Sequence, residues 1–189
     1  LGEHWIVGRE FLDIETTTVG DAPDPRVDTP RVICTLPHTP VSSPAVLWPA
    51  PIALTVPPGS CFVMHNAQYD LPILMKLAGH SDFTADDTMV QAYLLGEPAL
   101  SLKLLARRLL GMHAREYLEK ADDDPEYDAQ DVHLTKALHA YLRPRIDAKG
   151  LAFLYDEVKT PLQRIAARHV VEGLRLDQSK IAVLNDKMQ

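Results

Sequence analysis

Hydrophobic and polar positions alternate strictly at Phe11-Leu12-Asp13-Ile14-Glu15, which puts Phe11, Asp13 and Glu15 on one face of a strand and Leu12 and Ile14 on the other. Arg31 to Leu36, Ala45 to Trp48 and Ser60 to His65 are further short runs rich in Val, Ile and aromatic residues. Prolines and the turn pair Pro58-Gly59 separate them, so they read as strands of one sheet. The stretch from Asp21 to Pro58 holds most of the 15 prolines and has no helical period, which predicts hairpins and surface loop.

Beyond residue 66 the period becomes helical. Ala67 to Leu77 ends at Gly79, a residue suited to a helix C-terminus, and Pro72 suits a first turn or a kink better than a regular interior. Thr88 to Leu95 is stopped by Gly96, and Ser101 caps a helix that runs to Leu110 before Gly111. Asp124-Pro125 opens a helix carrying Tyr127, Asp131, Leu134 and Leu138 on one side, expected to last to about Leu142. A final long helix has Leu151, Leu154, Val158, Leu162, Ile165 and His169 on one stripe, ends near Gly173, and is followed by a new cap at Asp177. Strands precede helices, in one α/β domain.

The 189 residues suit one domain with a short appendage, and 46% hydrophobic against 24% charged residues excludes wholesale disorder. There is no window of eighteen uninterrupted apolar residues and no secretion signal at the N-terminus, so the expectation is a soluble, cytoplasmic-type protein away from membranes. Cys34 and Cys61 are too few for a disulfide framework and point to a reducing compartment. The net charge of −7 has the wrong sign for coating duplex nucleic acid. An acidic chain can nevertheless act on nucleic acid where its carboxylates hold divalent cations that reverse the local field.

Two same-face carboxylates on a strand repel each other unless a cation or a proton lies between them. The Asp-x-Glu spacing alone decides little, because Asp124-Pro125-Glu126 repeats it in what reads as a helix cap. Asn66 and Asp70 are four apart just after an apolar strand, compatible with a cap and a solvated Asp or with a shared functional face. Tyr127 and Asp131 are again four apart on the best-defined helix. The eight histidines are scattered, His133 and His139 being six apart, and read as surface or partly buried groups. Lys103, Arg107 and Arg108 read as a solvated helix face rather than a DNA-backbone contact.

Taken in order, Phe11-Leu12-Asp13-Ile14-Glu15-Thr16, His65-Asn66-Ala67-Gln68-Tyr69-Asp70 and Tyr127-Asp128-Ala129-Gln130-Asp131 resemble motifs I, II and III of the DEDD 3′–5′ exonucleases, tyrosine subtype. Asp87 to Leu95 and the tail from Leu154 through Asp177 resemble family A, polymerase I-like, DNA polymerases. One departure is visible: Trp48-Pro49-Ala50-Pro51 and its continuation stand where the family has a helix before motif II.

The resemblance implies a ribonuclease H-like fold, a mixed sheet flanked by helices. It divides the chain into an exonuclease domain over 1–147 and a helical extension over 148–189, similar to the start of a polymerase thumb. It also implies two divalent cations, Mg²⁺ or Mn²⁺, held by Asp13, Glu15, Asp70 and Asp131, with Asp13 shared between them. Tyr127 would orient the attacking water, and Thr16, Val19 and Asn66 would contact the terminal nucleotide. The implied protein is a monomer acting on single-stranded DNA 3′ ends, joined covalently to a polymerase domain after Gln189. The alternatives are a free-standing RNA exonuclease of the same superfamily and an inactive structural domain of this fold.

Overall fold

The computed structural model describes residues 4–5, 9–16, 30–37, 45–49, 54–115, 124–173 and 177–188. Its centre is a five-stranded mixed sheet of order β4-β3-β2-β6-β7, formed by β2 (Arg9–Thr16), β3 (Pro30–Pro37), β4 (Val46–Pro49), β6 (Ser60–Met64) and β7 (Phe83–Asp87). β1 (His4–Trp5) and β5 (Leu54–Thr55) pair in parallel as a separate two-stranded ribbon. β2 runs antiparallel to β3 and parallel to β6, and β6 runs parallel to β7. Three parallel strands therefore end at the same edge, where open α/β sheets generally hold ligands.

The alternation in β2 is realised on both faces. Leu12 and Ile14 join Phe62, Met64 and Phe83 in a core closed by Leu71 and Leu74 of α1 (Ala67–Ala78) and Ala167 of α5 (Thr160–Glu172). Phe11 points the other way, to Cys34, Leu36, Val63 and Val132 of α4 (Pro125–Ala148). Asp13 and Glu15 share the parity of Phe11, so the same period that fills the core aims both carboxylates toward α4. A third cluster joins α2 (Thr88–Leu94), α3 (Leu102–Leu110) and α4 through Ala92, Leu102, Leu105, Leu134, Leu138 and Leu142. α6 (Gln178–Met188) follows. No helix among the described residues is long and apolar enough to cross a membrane.

Several elements differ from the sequence reading. β7 was not expected: Phe83-Thr84-Ala85-Asp86-Asp87 carries too much polarity to announce a buried strand, yet pairing with β6 buries four of its five residues. The order is thus strand, helix, strand across β6, α1 and β7, not strands first and helices afterwards. α4 outruns Leu142 and continues past the exposed Pro144 to Ala148. Burying Ile146 completely stabilises the added turn by about 1.5–3 kcal/mol, comparable with the cost of a proline inside a helix.

The final helix is divided. A π-helical turn at Leu154–Lys159 precedes α5, and the residues turned inward are Tyr155, Gln163 and Ala167. Leu154, Val158, Leu162 and Ile165, expected to form the buried stripe, are exposed. The polar inward set prevails because it satisfies buried groups: the Asp87 N–H donates to the Tyr155 hydroxyl at 2.7 Å, and Gln163 donates to the Asp87 carboxylate at 2.6 Å. His139 is buried, not at the surface, and its Nε2 donates to Asp86 at 3.2 Å. Of the proline-rich stretch, residues 21–29, 38–44 and 50–53 lie outside the described residues.

Candidate active site

At its C-terminal end β2 shifts register against β3 between Glu15 and Thr16, an irregularity of the kind that re-aims side chains at strand ends. Asp13 and Glu15 project there, half-buried, and Asp131 of α4 meets them: one ligand oxygen from each of the three lies within 4.8 Å of the others.

The first turn of α4 is fixed so that Asp131 can arrive there. Asp124 caps it, accepting from the N–H groups of Glu126 and Tyr127 at 3.1 and 3.0 Å. Arg115 donates to both oxygens of Asp124, at 2.7 and 3.2 Å, and holds that carboxyl below its usual range. Gln130, next to Asp131, exchanges two hydrogen bonds with the Arg115 backbone.

Asp70 reaches the same place from α1. The start of α1 is capped by Asp87 of β7, not by the side chain of Asn66. Asp87 Oδ1 accepts from the Asn66 N–H at 3.1 Å and Oδ2 from the Ala67 N–H at 3.0 Å. Asn66 itself sits in the left-handed region at φ 65°, tolerable for Asn, and its side chain is exposed. Asp70 is buried, and burial raises its pKa well above the ordinary carboxyl value. The charges of Asp13, Asp87 and Glu15 raise it further, against an opposing hydrogen bond from the Ile14 N–H. Asp70 thus feels both β2 carboxylates, although it falls outside the tight triad.

Tyr127 is buried one helical turn before Asp131. Its pKa is raised, chiefly by burial with Asp131 and Glu15 adding to it, and lowered in part by Lys103. The phenol therefore keeps its proton at neutral pH. Lys103, read from sequence as part of a solvated face, instead places Nζ 2.5 Å from the Tyr127 hydroxyl oxygen and 4.3 Å from the ring centroid. Arg107 and Arg108 are exposed as expected.

Thr16 Oγ1 lies 2.8 Å from the Tyr69 hydroxyl, so these two side chains brace the end of β2 against α1. Val19 lies outside the described residues. Asp87, Lys103 and Tyr69 were missed as contributors. Asp87 and Tyr69 stand inside recognisable segments, whereas nothing in the spacing of Lys103 marks a partner 24 residues away.

The donor set fits a hard divalent cation. Asp13, Glu15 and Asp131 offer only carboxylate oxygens, and no Cys or His among the described residues joins them in that cluster, the combination that suits Mg²⁺ or Mn²⁺ and not a closed zinc site.

Residues 53–147 match the 3′–5′ exonuclease family of the DNA polymerase A type. The chain belongs to that family. The matched span contains Asn66, Asp70, Lys103, Tyr127 and Asp131, while Asp13 and Glu15 precede it and are tied to it by the geometry above. The chain has curated relatives among the polymerases. It is 28% identical over 142 residues to DNA polymerase I of Rhizobium leguminosarum and 32% identical over 117 residues to the thermostable DNA polymerase I of Thermus thermophilus. These alignments take in 67% and 61% of this chain but only 14% and 13% of those proteins.

In fold, the chain is similar to Brucella melitensis NrnC with bound Mg²⁺, with TM-score 0.71 at 18% identity, covering 88% of this chain and 87% of that one. It also resembles Escherichia coli RNase D, an exoribonuclease involved in structured RNA processing, with TM-score 0.66 at 17% identity, covering 88% of this chain and 51% of that one. These likenesses establish the mixed, helix-flanked sheet as a ribonuclease H-like exonuclease fold.

Proposed function

We propose that this domain removes nucleotides one at a time from single-stranded DNA 3′ ends by two-metal hydrolysis, as the proofreading part of a family A polymerase whose polymerase domain follows Gln189. The observation that carries this reading is the meeting of Asp13, Glu15 and Asp131 within 4.8 Å, with Asp70 close enough to feel the charges of Asp13 and Glu15. We assign Asp13, Glu15, Asp70 and Asp131 to holding two Mg²⁺ or Mn²⁺ ions. When bound, such ions neutralise the phosphate and acidify a coordinated water.

The other roles belong to the chain itself. Tyr127 keeps its proton and works as a hydrogen-bond donor, not as a base. Its position one turn from Asp131 lets it orient the attacking water. Thr16, at the end of β2, and Asn66, immediately before α1, are assigned to the terminal nucleotide, with Val19. The water oxygen bonds to phosphorus, the bond from phosphorus to the penultimate 3′ oxygen breaks, and that oxygen takes a proton. The products are a nucleoside 5′-monophosphate and a shortened strand. Residues 148–189 are assigned to the helical extension leading toward the polymerase, although Tyr155, Gln163 and Ala167 already pack into the exonuclease core.

A second reading, a free-standing RNA exonuclease, is favoured by one observation: the fold is similar to that of Escherichia coli RNase D, an exoribonuclease involved in structured RNA processing. Both are tested by incubating 5′-labelled single-stranded DNA and RNA of equal sequence with and without Mg²⁺. The proposal requires a Mg²⁺-dependent ladder of single-nucleotide steps from the 3′ end, stronger on DNA. Preference for RNA establishes the second reading, and no ladder on either strand makes the domain an inactive spacer.

A further inference from the structure

Resting on that reading of the site, we propose that Lys103 is a positioning residue for hydrolysis: by donating to the phenol oxygen of Tyr127, it compels the phenol to donate its own proton to the attacking water. The ammonium carries three donors and no acceptor, so the 2.5 Å contact has a fixed direction, from Nζ to the phenol oxygen. The single phenolic proton must then point elsewhere. Tyr127 lies four residues before Asp131 on α4, and its phenol feels the charges of Asp131 and Glu15, so the carboxylate cluster is on hand to attract that proton.

The scaffold makes the contact reproducible. Lys103 sits in the first turn of α3, whose Leu102 and Leu105 pack with Leu134, Leu138 and Leu142 of α4. The ammonium also lies 4.3 Å from the Tyr127 ring centroid, which resists tilting of the ring. Without this donor the phenol oxygen can accept from the water instead of donating to it. With the partner in place only one polarity remains, and no rotational freedom has to be lost when the transition state forms.

The test is a double-mutant cycle on the intact chain at saturating Mg²⁺, using Lys103→Met, Lys103→Arg, Tyr127→Phe and the Met–Phe double variant. Lys103→Met is expected to lower kcat about tenfold, the rate equivalent of one ordinary hydrogen bond, with KM within about twofold. In the Tyr127→Phe background the same change should cost less than about twofold, and Lys103→Arg, which keeps a donor, should retain most of the rate. Affinity for a labelled oligonucleotide in Ca²⁺, read by fluorescence anisotropy, should be unchanged in all variants, as should the thermal midpoint. A raised KM or weakened Ca²⁺-supported binding would make Lys103 a phosphate contact and overturn the proposal. Persistence of its full effect without the phenol, or loss of rate tracking a lowered midpoint, overturns it as well. Failure of the exonuclease reading is separate and visible first, because the unaltered protein would then give no ladder.

Discussion

Asp87→Asn is a nearly isosteric change whose cost follows from a count of donors. Oδ1 accepts from the N–H groups of Asn66 and Met89 at 3.1 and 2.8 Å, and Oδ2 from the Ala67 N–H and Gln163 Nε2 at 3.0 and 2.6 Å, at a site only 2% exposed. Four donors therefore converge on one carboxylate that caps α1 and α2 together. An amide keeps one oxygen, and its NH₂ faces two of those donors. Gln163 can relieve one conflict by turning its amide, because its Oε1 has no hydrogen-bond partner among the described residues. The Ala67 N–H is left with no acceptor, at about 1–3 kcal/mol. The bonds that remain lose charge assistance, which roughly halves their strength. The sum is about 2–4 kcal/mol, a fall in midpoint of about 5–15 °C for a chain of this size. A thermal melt followed by circular dichroism at neutral pH in EDTA measures it. A midpoint within about 2 °C of the unaltered protein would show that Asp87 does not hold the start of α1, and the account of how Asn66 and Asp70 are placed would fail with it.

Mg²⁺ or Mn²⁺ should raise the thermal midpoint by offsetting the repulsion among the converged carboxylates, and a midpoint indifferent to a Mg²⁺ titration would refute the cluster as a cation site. The raised pKa of Asp70 gives this a pH dependence: from the ordinary carboxyl range up to its folded value the native state binds the extra proton, so stability without metal falls as pH rises. Asp70→Asn, which keeps an acceptor for the Ile14 N–H, should therefore raise the metal-free midpoint at pH 8 by a few degrees, since one pKa unit corresponds to ~1.4 kcal/mol, and should shrink the rise caused by Mg²⁺. A lower midpoint for that variant would contradict the assignment. Asp13→Ala with Glu15→Ala should abolish hydrolysis, at least a thousandfold by gel assay, with the domain still folded. A double variant that still shortens DNA would remove these residues from the mechanism.

Much of the site was legible because its geometry is local. Period two in β2 assigns Asp13 and Glu15 to one face, and helical spacing assigns Tyr127 and Asp131 to one turn. Asp124-Pro125 marks the start of α4 with its own cap, as the structure shows. These are consequences of backbone repeat and of side chains bonding within three residues of themselves, and a linear reading captures them. The same applies to Gly79 and Gly111, both at positive φ where their helices end.

What the chain order alone could not supply depends on partners far away in sequence. β7 is a strand because β6 offers it a ladder, despite three polar residues in five. The last helix turns Tyr155 and Gln163 inward, not its aliphatic stripe, because Asp87, some 70 residues earlier, needs partners in the core. Lys103 leaves the solvated face for the same kind of reason, since only the packing of α3 on α4 brings the Tyr127 hydroxyl within its reach. Amino-acid order determined which side chains share a face, through fixed backbone periods. Tertiary structure decided which buried polar groups met, because burial makes an unsatisfied donor or acceptor costly enough to override local preference.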